Sequence, residues 1–208
     1  MPAAARSQRA RAPARPRRRE PALKRSRILA AAQRLFVERG FGATTTADIA
    51  QAAEVSEGIV FHHFGSKEEL LVAVADAYGR GLVEAMFAGS GEAHGPPDPE
   101  AMLRAAFAYV RERGPLSRLL MLAPAPLAQD SARHPPRARI VDALAAAFER
   151  WQGMGLIRAF DARIVAELMH ALVERALIEC FVRGDGSREE DYLRETLRCV
   201  SGATRPAP

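Results

Sequence analysis

From residue 24 onward, apolar side chains return at intervals of three and four. Ile28, Leu29, Ala32, Leu35 and Phe36 make one face of a helix over 24–39, and Gly40 stops it. Thr45 with Asp48 three residues on has the form of a capping box. It starts a second helix with Ile49, Ala50 and Ala53 inward and Ala47 and Gln51 outward. Residues 54–56 form a turn, and Ser56 caps a third helix over 57–64. Val60 and Phe64 face inward there, leaving the i,i+4 pairs Glu57/Phe61 and Gly58/His62 on the opposite face. Gly65 ends this helix, and Ser66 with Glu69 opens a fourth, which begins at Lys67 and runs to about Phe87.

Past a Gly/Pro-rich loop at 89–99, helical patterns resume at 100–113, 116–123, 136–153, 161–183 and 188–201. Prolines and glycines punctuate them. In 161–183 the apolar residues cover more than one face, so that helix is expected to be buried on two sides. The final helix carries a stripe of Leu193, Leu197 and Val200. Such a hairpin can complete itself within the protomer or by pairing with a twofold copy as a four-helix bundle, and the second reading is preferred. The expected fold is all-α: a three-helix head at 23–66, joined by a long helix to a larger helical body at 67–204. Residues 1–22, rich in Arg, Ala and Pro, are expected to be a disordered basic arm. That arm is open to two readings, a DNA-contacting segment or a solvated leader.

Charge sharpens this division. Residues 1–27 hold ten Lys/Arg against the single acid Glu20, while the rest of the chain has 20 basic and 24 acidic residues. Residues 24–70 balance six against six, so any case for nucleic-acid binding there must come from geometry rather than bulk charge. The two cysteines, Cys180 and Cys199, lack zinc or disulfide-framework spacing, which points to a cytoplasmic protein. No membrane span or signal peptide is expected, since no apolar run is long enough and the basic N-terminus has no apolar core.

Two short capped helices joined by a tight turn outline a helix-turn-helix, the unit that lays its second helix in the DNA major groove. The run RILAAAQRLFVERGFGATTTADIA followed by VSEGIVFHHFGSKEELL, within Arg27–Leu71, resembles the N-terminal domain of the tetracycline-repressor (TetR) family of bacterial transcription regulators. The resemblance implies a phosphate contact from the hydroxyl and amide of Thr45, with Thr46 and Ala47 approaching the DNA. It implies base reading by Ser56, Glu57, Gly58 and Ile59. It further implies backbone-flanking roles for Phe61, His62 and His63, and a phosphate contact from Lys67. Three positions depart from the family pattern: Glu54 where Gly is usual in the turn, Phe61 where Tyr is usual, and Ile59 where a small or hydroxylated residue is frequent.

Other chemistry is sparse. Adjacent residues such as His62 and His63 point about 100° apart on a helix and chelate poorly, so no metal site is expected. No catalytic motif of the GxSxG, phosphate-loop, HExxH or Cys-His kind occurs, and neither enzyme activity nor a cofactor is expected. Met102, Phe107, Met121, Trp151, Met169 and His170, with Leu122 and Met154, are candidate lining for an apolar ligand. For any single one of them a plain core role is the stronger reading. The sequence thus reads as a homodimeric regulator that binds a palindromic duplex operator, most simply as a repressor released by a small apolar effector. A redox input, the absence of any effector, an architectural DNA-binding protein and a helical small-molecule-binding protein stand as alternatives.

Overall fold

A computed structural model describes residues 19–88, 98–122 and 135–204, and every regular element among them is helical. The order is α1 (Arg19–Arg39), α2 (Thr46–Ala52), α3 (Glu57–Phe64), α4 (Lys67–Phe87), α5 (Pro99–Glu112), α6 (Gly114–Met121), α7 (Pro135–Gly153), α8 (Ala162–Leu177) and α9 (Glu189–Thr204). The all-α expectation holds, as does the order of a three-helix head, a long connecting helix and a helical body.

Residues 1–18 of the expected arm lie outside the described residues, but 19–22 are helical, so α1 begins earlier than the apolar pattern suggested. The reason is local. Pro21 falls in the first turn, where an amide has no intrahelical partner to lose. Glu20 favours a helix N-terminus and lies 3.4 Å from Lys24, one turn on. Apolar periodicity cannot register a turn built from such residues.

The head and the near part of the body share one apolar core. Ile28, Ala32 and Phe36 of α1 meet Ile49 of α2, Val60 and Phe64 of α3, and Leu70 and Val74 of α4. The same cluster continues through Tyr78 and Leu82 of α4 to α5, α7 and the start of α8. A second cluster joins Leu103, Phe107 and Val110 of α5 to Ala176 and Leu177 of α8, Cys180, and Leu193 of α9. Two ion-pair sets reinforce this far side. Arg104 donates to both oxygens of Glu190, at 2.8 and 3.1 Å, and Arg111 pairs with Glu189.

Several boundaries differ from the sequence reading. Asp98 caps α5, with its side chain accepting from the Glu100 amide at 2.9 Å. The expected helix 161–183 keeps α-geometry only to Leu177. Ile178–Arg183 widens into a π-helical turn, and the Gly184 amide bonds the Glu179 carbonyl at 3.0 Å. Cys180 lies buried in that turn, and burial pushes its thiol up, so it is protonated and unreactive at neutral pH. Cys199 is exposed on α9.

A buried polar network ties α4, α5 and α6 together. The Tyr78 hydroxyl and Ser117 Oγ are 2.8 Å apart, Ser117 Oγ lies 3.0 Å from the Val110 carbonyl, and the Tyr109 hydroxyl donates to the Tyr78 carbonyl at 3.0 Å. Burial, against the Ser117 bond, pushes the Tyr78 hydroxyl up to about 12. Gly81 lets α5 come this close, since a Cβ there would stand 2.3 Å from the Tyr109 hydroxyl. Removing Ser117 Oγ leaves the Tyr78 hydroxyl and the Val110 carbonyl short of a partner. Ser117→Ala is expected to lower the unfolding free energy by about 1–3 kcal/mol in a denaturant titration.

Candidate nucleic-acid interface

Three consecutive threonines build the head, each in a different way. Thr44 is fully buried, and its hydroxyl reaches the Gly40 carbonyl at 2.8 Å and the Leu35 carbonyl at 3.2 Å. It thereby satisfies the end of α1, where Gly40 has φ +80° and its amide bonds the Phe36 carbonyl. Thr45 is the N-cap of α2 in a complete capping box. Its hydroxyl accepts from the Asp48 amide at 3.1 Å, and its amide donates to Asp48 Oδ2 at 3.0 Å. Thr46 crosses the turn, and its hydroxyl donates to the Glu57 carboxylate at the start of α3. The role of Thr44 escaped the sequence reading. The signal was present: a helix ending at Gly40 leaves carbonyls that a nearby hydroxyl can meet.

The cap also sets a charge. The Thr45 hydroxyl, then its amide and the Arg39 guanidinium, hold the Asp48 carboxyl below the ordinary aspartate range, against a small opposing effect of burial. The lowered value means the box is intact above about pH 4 and weakens as acid protonates Asp48. Both Thr45 groups are occupied in the free protein, so a phosphate at this position must compete with Asp48.

The turn between α2 and α3 contains the one non-glycine residue with positive φ among the described residues, Glu54 at φ +52°. The sequence departure therefore falls where the backbone is left-handed, a conformation that costs an L-residue on the order of 1–2 kcal/mol. Glu54 forms an ion pair with Arg27 of α1, which offsets part of this cost. Ser56 occupies the N-cap position of α3 but makes no side-chain capping bond, unlike the expected cap. Its hydroxyl is exposed, and α3 is held instead by the buried Val60 and Phe64 and by the Arg25 guanidinium 4.9 Å over the Phe64 ring.

The outer face of α3 is open. Ser56, Glu57, Gly58, Phe61 and His62 are exposed together with Ala47 of α2, whereas Ile59 and His63 are half-buried. Phe61 is 48% exposed, a large apolar surface on a polar face. Burial, followed by His62, Arg25 and Lys24, holds the His63 imidazole below its ordinary value, so it is neutral at pH 7. The described residues contain no group of three or more His, Cys, Asp or Glu arranged to hold a metal ion.

Lys67 has a role beyond the one carried over from the resemblance. Its Nζ donates to the carbonyls of Thr44 at 2.9 Å and Phe41 at 3.0 Å, and stands 4.4 Å from the Phe41 ring centroid. The side chain bolts the first turn of α4 to the α1–α2 loop and has one donor left for anything else.

The candidate ligand residues do not converge as one set. Met102, Trp151 and Met169 belong to the larger core, Phe107 to the second, and Met121 packs against the second from its edge. His170 is buried on α8, its Nδ1 4.0 Å from Glu174 Oε2. Leu122 and Met154 are exposed and line no interior, because each follows the last turn of its amphipathic pattern. A separate surface cleft of about 240 Å³ lies between α5 and α9, floored by Leu103, Leu193 and Leu197 and rimmed by charged residues.

The model of the bacterial regulatory proteins of the tetR family matches residues 28–74. A transcriptional repressor of Mycobacterium tuberculosis is 51% identical over 55 residues, which are 26% of this chain and 29% of the relative. Residues 28–74 thus carry the N-terminal domain pattern of the tetR family. The regulator TtgR of Pseudomonas putida is 45% identical over 53 residues, 26% of this chain and 25% of its own length. The match thus spans under a third of the length of these relatives. The likeness of the whole molecule is one of fold. A Thermus thermophilus repressor of the family, FadR in complex with lauroyl-CoA, superposes with a TM-score of 0.67 at 24% identity, covering 88% of this chain and 97% of that one.

Glu54→Gly and Glu54→Ala both lose the Arg27 pair and differ in tolerance of positive φ, so the glycine variant should be about 1 kcal/mol more stable in denaturant unfolding. Lys67→Met should lower stability by about 1–3 kcal/mol in the same measurement, because two carbonyls lose a charged donor.

Proposed function

We propose that this chain is a homodimeric, ligand-responsive transcriptional repressor that binds a near-palindromic duplex operator through α3. The observation that carries this reading is the open face of α3, presented by a helix anchored on its other side by Val60, Phe64 and Arg25. Thr45 at the cap of α2 meets a phosphate, and Thr46 and Ala47 approach the edge of the DNA. Ser56, Glu57, Gly58 and Ile59 read base edges, Phe61, His62 and His63 flank the strand, and the remaining donor of Lys67 meets a phosphate. Head residues 23–66 and body residues 67–204 then act as separate functional parts, with residues 1–22 adding basic charge. The curated relatives are named as regulators, which favours this reading over an enzyme. No helix among the described residues is long and apolar enough to cross a membrane, and a regulator works beside the DNA in the cytoplasm.

The partner surface follows from exposure. Ile164, Leu168 and Leu172, one turn apart along α8, are 55%, 66% and 39% exposed, an apolar stripe that a second copy covers. Leu193, read from the sequence as part of that surface, is instead buried within the protomer against α5, and Leu197 packs beside it. Two heads related by a twofold axis then reach half-sites about 34 Å apart.

The effector is an apolar or amphipathic small molecule. FadR is bound to lauroyl-CoA, and Met102, Trp151 and Met169 of the larger core, with the buried His170 beside Met169 on α8, supply soft apolar surface and one polar group. Such a ligand changes operator affinity by its differential affinity for two arrangements of α4.

Selection of the full chain on randomised duplexes tests the central claim, and the expected result is one enriched palindrome. Failure to enrich any duplex in low salt overturns it. Leu168→Glu is expected to sediment as a monomer and to bind the selected operator roughly a hundredfold more weakly, as a single head loses the linked second contact. An intact dimer would refute the α8 surface.

A further inference from the structure

The two-helix unit contains three acids, and two of them are neutralised. Asp48 serves the Thr45 cap and lies 3.7 Å from Arg39, and Glu54 pairs with Arg27. Glu57 has no cation beside it among the described residues. Its one partner is Thr46, whose hydroxyl donates to Oε1. It is exposed at the start of α3, one turn before Phe61.

An uncompensated carboxylate on a face that approaches phosphates weakens binding by repulsion. It contributes favourably only where it meets a hydrogen-bond donor. In the major groove those donors are the N6 amino group of adenine and the N4 amino group of cytosine. Adenine sets the N7 acceptor beside its amino group, which opposes the second carboxylate oxygen. Cytosine has no acceptor on its own major-groove edge, so a carboxylate favours it. The hydroxyl of Thr46 occupies Oε1 and limits the rotamers of a long side chain, which lowers the entropy lost when Oε2 is used.

We propose that Glu57 is a specificity-determining residue that accepts a hydrogen bond from the N4 amino group of a cytosine in each operator half-site, with Thr46 as the positioning residue that holds its carboxylate. This rests on the DNA-binding reading above. The competing role for Glu57 is purely local, as an acid placed favourably at a helix N-terminus. That role affects melting and leaves base preference untouched.

The test is selection of the full chain on duplexes with randomised half-sites, run for the native protein, Glu57→Gln and Thr46→Val, with thermal melts as a folding control. The native protein is expected to enrich cytosine at one position, repeated in both half-sites, and symmetric replacement of that pair should weaken binding by roughly tenfold. Glu57→Gln should lose this preference at that position alone, with adenine entering because Gln both donates and accepts. Its binding to duplexes lacking the cytosine should be equal or tighter. Thr46→Val should narrow the discrimination while keeping the same base. If Glu57→Gln enriches the same base at every position as the native chain, the proposal is overturned and the regulator stands. If the native chain enriches no duplex, the regulator falls and the proposal with it.

Discussion

The hold of Lys67 on the carbonyls of Phe41 and Thr44 is the interaction on which the head depends. A unit of some 45 residues buries too little apolar surface to be firmly stable alone. It is completed by α4, whose first turn supplies Leu70 and Leu71 to the head while its later turns belong to the body. A hydrophobic interface fixes depth but is tolerant of sliding. Two charged hydrogen bonds at the very start of α4 fix the register, since a shift by one residue would separate the ammonium from both oxygens. The angle of α3 is therefore set by the same helix that carries Tyr78 into the body.

The head was the most legible part of the sequence because its signals are local. A capping box, a glycine stop and inward positions four apart each act within one turn of helix, and Thr45, Asp48, Gly40, Val60 and Phe64 take the places their spacing indicates. Glu54 stood out only through the resemblance, as a side chain where Gly is usual, and the backbone there is left-handed. The partners of Thr46 and Lys67 were not legible. Thr46 meets a residue 11 positions on, and Lys67 meets carbonyls 23 and 26 positions back. Contacts across a fold leave no periodic trace.

The body shows the opposite balance. Its helices were readable within a few residues, but which of their apolar faces are covered inside the protomer was not. The α8 pattern is apolar over a wide arc. Periodicity cannot separate Met169, buried, from Leu168, exposed, because neighbouring positions carry equally apolar side chains. The stripe of α9 looked as free as that of α8, yet α5 lies against it. Leu122 and Met154 were misjudged for a related reason: a side chain can continue an apolar sequence beyond the point where anything packs on it. The end of α8 adds one more case, since a π-helical turn has the composition of an α-helix and differs only in how the ladder closes.

The glycines of α4 have a mechanical meaning. Gly79 is buried and Gly81 faces the Tyr109 hydroxyl at a distance no side chain could occupy. Each glycine weakens a helix interior by about 1 kcal/mol relative to alanine, so this stretch is intrinsically the softest of α4. It is also where the rod is gripped, by an edge-on pair of tyrosine rings with centroids 5.2 Å apart and by a hydrogen bond to its own backbone. A compliant segment clamped from the side behaves as a fulcrum: small displacements of α5 are translated into tilt of the rod's distant end, where the first turn of α4 meets the head.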